Sequence, residues 1–117
     1  MVFLSSLSGP EVEKVMPFPM WDKSLHAFSF LVGGLVLGIA LRAVTDWSWR
    51  KLAVIGWTVL LAFALADEYH QLVVPQRSGA DVGDWLADAF GAALGLVGAA
   101  LIYARYSRED RTAPAAA

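Results

Sequence analysis

The chain has 117 residues, a formal net charge of -2 and no cysteine, with 57% hydrophobic and 17% charged residues. That length amounts to one domain, and the apolar excess is more than so small a soluble domain buries, so an integral membrane protein is expected. Interspersed charge without a polybasic patch excludes the electrostatic footprint of a nucleic-acid binder. The lack of cysteine excludes disulfides, thiolate chemistry and Cys-ligated zinc.

Met1 to Pro10 opens with Val-Phe-Leu and turns Ser- and Gly-rich, an apolar stretch too short for the core of an export signal or for a span. Glu11 to Trp21 is charged and carries Pro17 and Pro19. These prolines favour extended or turn backbone and set up a helix start just after them. From Leu25 to Ala43 only His26, Ser29 and Arg42 interrupt the apolar run, which can cross roughly 30 Å of hydrocarbon as a first helical span. Asp22, His26, Ser29 and Gly33 fall on one face at helical spacing, and that face is expected to point into a bundle.

Thr45 to Lys51, with Trp47 and Trp49, reads as an interfacial loop with an aromatic belt. Leu52 to Ala66 is uninterrupted and apolar, yet as a helix it covers only about 22 Å, short of a bilayer core. Extending the span through Leu72 and Val73 supplies the length and draws Asp67, Glu68 and Gln71 about one turn inside the interface. Asp67, His70 and Gln71 share a face, with Glu68 rotated about 100° from Asp67.

Pro75 ends that helix through its fixed dihedral and missing N–H, and Gln76-Arg77-Ser78-Gly79 makes a polar turn. Asp81 or Asp84 can cap a third helix, whose N-terminal dipole favours an anion. The third span is predicted from Trp85 to Tyr103 with Asp88 as its only charge. Asp84, Asp88, Gly91 and Gly95 line one face, and small residues there permit close helix contact. Arg105, Arg108 and Arg111 follow, and the end of the chain reads as a disordered tail. Met16, Met20 and the five Trp read as packing residues and interface anchors.

The expected fold is therefore all-α: a small polytopic bundle of three spans, with an N-terminal segment 1–21, a helical domain 22–106 and a tail 107–117. Arg42, Arg50 and Lys51 lie on the same side as the three tail arginines, against Lys14, Lys23 and Arg77 on the other. This bias makes the C-terminus cytoplasmic. Every polar cluster then falls on the extracytoplasmic face.

The blocks Asp22-Lys23-Ser24-Leu25-His26-Ala27-Phe28, Asp67-Glu68-Tyr69-His70-Gln71, Pro75-Gln76-Arg77-Ser78-Gly79 and Asp84-Trp85-Leu86-Ala87-Asp88-Ala89-Phe90-Gly91 resemble the ordered motifs of the VanZ-like membrane proteins. The likeness covers roughly residues 17 to 100. It implies a bacterial plasma-membrane protein of the cell envelope, with an influence on susceptibility to the glycopeptide teicoplanin and no assigned biochemical activity. It also implies Asp22, Lys23, His26, Asp67, Glu68, Gln71, Arg77 and Asp84 as motif residues. Two departures stand out. Position 88 is Asp where the family often has Asn, and the family-typical first span is absent or truncated. The second departure raises the expectation of association with another copy or of a longer natural form.

Three readings of these residues stay open. In the first, they form a buried polar network gluing helix ends together, with Arg77 bridging to Asp84 or Glu68, because unpaired charge is costly in a membrane. In the second, His26, Asp67, Glu68 and Asp84, with Asp22 and Asp88 nearby, hold a divalent cation or perform acid–base work on a lipid-linked, phosphate-bearing envelope precursor. His26, Glu68 and Asp67 are the candidate catalytic groups there. In the third, the pocket binds a membrane lipid, head group or cell-wall precursor without catalysis, through Asp22, Lys23, Gln71, Arg77, Asp84 and Asp88. Proton or small-solute transport along the acidic face is a further possibility.

Overall fold

The computed structural model describes residues 19–75 and 81–112, together with Ser6, Ser8 and Pro10. Among the described residues the elements are three long helices, α1 (Pro19–Val44), α2 (Trp49–Leu72) and α3 (Val82–Thr112), and no strand. Each is long and apolar enough to cross a membrane, and the chain is an integral membrane protein of the all-α class.

Helix α1 begins at Pro19, whose ring pre-sets a helical dihedral and whose missing N–H is not needed in a first turn. Its first turn carries Asp22, where the helix dipole favours an anion. The link to α2 is shorter than expected, because Trp49, Arg50 and Lys51 are already helical. Ser48 caps α2, its Oγ accepting from the Lys51 amide at 3.4 Å. Arg42 donates to the Trp47 carbonyl at 3.1 Å. Trp49 meets Tyr103 edge-on at 5.6 Å, closing this end of the bundle with aromatic contact.

Helix α2 runs unbroken to Leu72, so its last turns carry Asp67, Glu68 and Gln71. The amides of Val73 and Val74 turn back to the carbonyls of His70 and Gln71 at 3.1 and 3.3 Å, and Pro75 prevents continuation. Asp81, not Asp84, caps α3: its Oδ1 accepts from the Gly83 amide at 2.7 Å, and its carbonyl takes the amides of Asp84 and Trp85. Helix α3 continues beyond Tyr103 to Thr112, so residues 107–112, expected as tail, are helical. An exposed Arg105–Glu109 pair at 3.6 Å supports that extension. Ala113 to Ala117 lie outside the described residues.

Contacts between His26 and Asp88, Gly34 and Gly95, and Gly38 and Ala99 show that α1 and α3 run parallel in constant register. Helix α2 runs antiparallel to both, and α1 and α3 form the most extensive interface. The buried stripe of α1 is His26, Phe30, Gly34 and Gly38, not Asp22, His26, Ser29 and Gly33 as expected. Its spacing of four matches Gly91, Gly95 and Ala99 on α3, which are also buried. The reason is steric: a Cβ on Gly91 would collide with the Ala27 carbonyl, and one on Gly95 with the Leu31 carbonyl. Backbone-to-backbone approach through small residues is how membrane helices gain dispersion contact without a hydrophobic drive.

Helix α2 packs across this pair. Phe30, Ala64 and Ala92 form a core cluster with Leu60 and Trp85 against it, and Phe30 stacks obliquely on Phe63 at 6.2 Å. Trp57, read as a packing residue or interface anchor, donates its Nε1–H to the Ala89 carbonyl at 3.0 Å and ties α2 to α3. Phe28, Val36, Val54, Phe90 and Leu101 point outward. Such an apolar exterior is what a lipid-facing surface requires.

Candidate functional site

Because α1 and α3 are parallel and α2 antiparallel, the start of α1, the end of α2 and the start of α3 meet at one end of the bundle. Buried there are His26, Asp67, Glu68, Gln71, Asp84 and Asp88, with Asp22 half-buried beside them. Burial of so many polar groups is costly unless each is bonded.

Lys23 answers part of that demand. Its Nζ donates to Asp84 Oδ1 at 2.8 Å and to Asp81 Oδ2 at 2.9 Å, linking α1 to the first turn of α3. The Lys23 ammonium, followed by the Gly83 amide, holds the Asp81 carboxyl below the usual carboxylate range. Lys23 thus bridges to Asp84, while Arg77, expected to pair with Asp84 or Glu68, lies outside the described residues. Asp81 was expected only as a possible cap; it also donates its backbone amide to Glu68 Oε2 at 3.1 Å. Its spacing, three residues before Asp84, is the one sequence signal of that wider part.

His26 lies deeper. Its Nδ1 is 2.9 Å from Asp88 Oδ1, both groups buried, and its Nε2 is 3.9 Å from Asp22 Oδ1. On α2, Gln71 Nε2 donates to Asp67 Oδ2 at 3.3 Å across one helical turn. Asp67 and Glu68, though rotated from each other, are both buried, because the inward direction of α2 falls between them. His70 is only half-buried and Tyr69 is exposed, so neither joins the cluster.

Two groupings have one ligand atom per residue within 4.8 Å of the others: Asp22 with His26 and Asp84, and His26 with Glu68 and Asp88. Of the expected metal candidates, His26 belongs to both groupings, Glu68 and Asp84 to one each, and Asp67 to neither. Beside the cluster, a cavity of about 370 Å³ opens between α2 and α3, lined by Leu65, Glu68, Asp81, Val82 and Trp85. Leu65 and Val82 are not singled out by the sequence, and Trp85 only as a packing or interface residue, because an apolar wall at a helix end carries no local signal.

Fold and site together define a small polytopic membrane protein with a polar centre buried at one end of its bundle. The chain belongs to the VanZ/LLP1 family, whose model matches residues 3–103. No curated protein and no solved structure matches it.

Proposed function

We propose that this end of the bundle binds an amphipathic lipid of the cell envelope, such as a lipid-linked cell-wall precursor, and thereby alters susceptibility to glycopeptides of the teicoplanin type. One observation carries the reading: an apolar cavity of about 370 Å³ that shares Glu68 with the buried polar cluster and is also lined by the exposed Asp81. Cavities of that size suit part of a small ligand. An apolar chain would lie against Leu65, Val82 and Trp85, and its polar end would meet the carboxylates. The bias of Lys and Arg toward the opposite end orients the cluster to the extracytoplasmic side, where such precursors are used.

Charge sets the terms of recognition. Asp22, Asp67, Glu68, Asp81, Asp84 and Asp88 face a single ion-paired lysine, Lys23, among the described residues. A bare phosphate would be repelled there. The polar part of the ligand is therefore cationic, or reaches the acids through a bridging cation. A second reading, acid–base or metal-assisted transfer on the same lipid, is favoured by the imidazole of His26 lying among buried carboxylates.

The experiment is a comparison of teicoplanin susceptibility in a susceptible bacterial host expressing the native chain, Leu65→Trp or Val54→Trp. Leu65 lines the cavity, whereas Val54 faces outward on the same helix. The native chain and Val54→Trp are expected to lower susceptibility equally and Leu65→Trp to restore it. Equal effects of all three at equal membrane abundance contradict the proposal.

A further inference from the structure

We propose that His26, Glu68 and Asp88 together bind one borderline divalent cation, of the Zn²⁺ or Mn²⁺ type, between the three helices. One residue comes from each helix, and a ligand atom from each lies within 4.8 Å of the others. Metal–ligand bonds of about 2.0–2.2 Å put donor atoms roughly 3–4 Å apart. Closing the remaining gap asks only for small side-chain rotations.

An independent observation points into the same space. Glu68 Oε1 and Asp88 Oδ2 are buried with no hydrogen-bond partner among the described residues, in side chains that are 6% and 0% exposed. Each carboxylate is held by its other oxygen: Glu68 Oε2 by the Asp81 amide at 3.1 Å, and Asp88 Oδ1 by His26 Nδ1 at 2.9 Å. One oxygen of each carboxylate is thereby left over, and the Asp81 amide orients Glu68 as an outer partner orients a metal ligand. Two such oxygens beside an imidazole make a place for positive charge, since an unmatched buried carboxylate oxygen is costly.

The donor set selects the ion. One nitrogen and two carboxylates suit Zn²⁺ or Mn²⁺, whereas Mg²⁺ and Ca²⁺ prefer oxygen-only shells and soft Cu(I) prefers sulfur. The surrounding carboxylates raise the local attraction for any cation, and the nitrogen discriminates among them. A resident cation would also let a phosphate-bearing head group approach the acidic cluster, but the site needs only these three side chains.

The test uses the full chain, stripped with chelator and reconstituted in neutral phosphatidylcholine nanodiscs without envelope lipid, then titrated with Zn²⁺ and Mn²⁺. Metal retained after desalting is expected to approach one ion per chain, with Mg²⁺ a weak competitor. Glu68→Gln and Asp88→Asn should each weaken binding about tenfold or more. Asp22→Asn, which belongs only to the other grouping, should change it little. In a His70→Gln background, ¹⁵N-histidine labelling should give pulsed EPR coupling of bound Mn²⁺ to a single nitrogen, that of His26. Negligible retention by the native chain, binding by both carboxylate variants as tight as that of the native chain, or no nitrogen coupling overturns the proposal. Should the variants not fold, the nitrogen coupling decides alone. Failure here leaves the lipid reading standing, because no envelope lipid takes part.

Discussion

His26 Nδ1 and Asp88 Oδ1 stand 2.9 Å apart, although 62 residues separate them in the chain. The contact exists because α1 and α3 are parallel, so their N-terminal turns arrive at one level. Both groups are buried, and either one alone would be a stranded polar group in a membrane interior.

His26→Ala and Asp88→Ala should therefore each lower stability in detergent by roughly 1–3 kcal/mol, the cost of orphaning a buried partner. The double variant should lose clearly less than the two losses combined, because the second substitution removes the group the first one stranded. Thermal melting of the four proteins gives the coupling. Strict additivity would mean that the pair is not a unit.

Lys23 holds two carboxylates of unlike exposure, with Asp84 side-chain exposure at 6% and Asp81 at 47%. Lys23→Met strands the buried one and should cost about 1–3 kcal/mol. Asp81→Asn should cost less, and its cost should shrink with added salt, as expected of an exposed pair.

The Asp81 tie should also depend on pH. Lys23 lowers the Asp81 carboxyl in the folded state below its ordinary value of 3.8. Its stabilisation is thus fully present above that value and fades as pH falls through the lowered folded one. Melting of the native chain and Asp81→Asn should differ at pH 7 and converge on acidification; a difference that grows on acidification would be the wrong sign.

Gly95 and Gly98 lie three residues apart on α3 in unlike surroundings. A Cβ at Gly95 would meet the Leu31 carbonyl and Gly34 Cα, whereas one at Gly98 would find Leu35 Cδ1 at an ordinary 3.5 Å. Gly95→Ala should push α1 and α3 apart at a cost of about 1–3 kcal/mol or more. Gly98→Ala should be neutral or gain up to about 1 kcal/mol from helix propensity. Equal melting shifts for the two would refute the close approach.

The spans were legible because hydropathy and length are strong, additive signals, and the acidic end of α2 followed from Leu52–Ala66 being too short to cross alone. The buried face of α3 also coincides with the spacing of Asp84, Asp88, Gly91 and Gly95. The buried face of α1 is not the one its polar residues suggest, because close contact with Gly95 and Ala99 selects Gly34 and Gly38. The pairings of Lys23 with Asp81 and Asp84, and of Trp57 with Ala89, depend on which helices run parallel and in what register. No local pattern carries that information. Helix α3 outlasts the expected span because the loss of hydropathy after Tyr103 marks where the apolar run stops, not where the helix stops.

Lipid retention tests the binding of an amphipathic ligand most directly. Native mass spectrometry of the protein extracted from bacterial membranes should show one tightly held lipid per native chain after delipidation. Val54→Trp should retain it, and Leu65→Trp should retain about tenfold less, a loss of roughly 1.4 kcal/mol in affinity. Identical lipid loss from all three proteins would contradict a lipid held in the cavity beside Glu68 and Asp81.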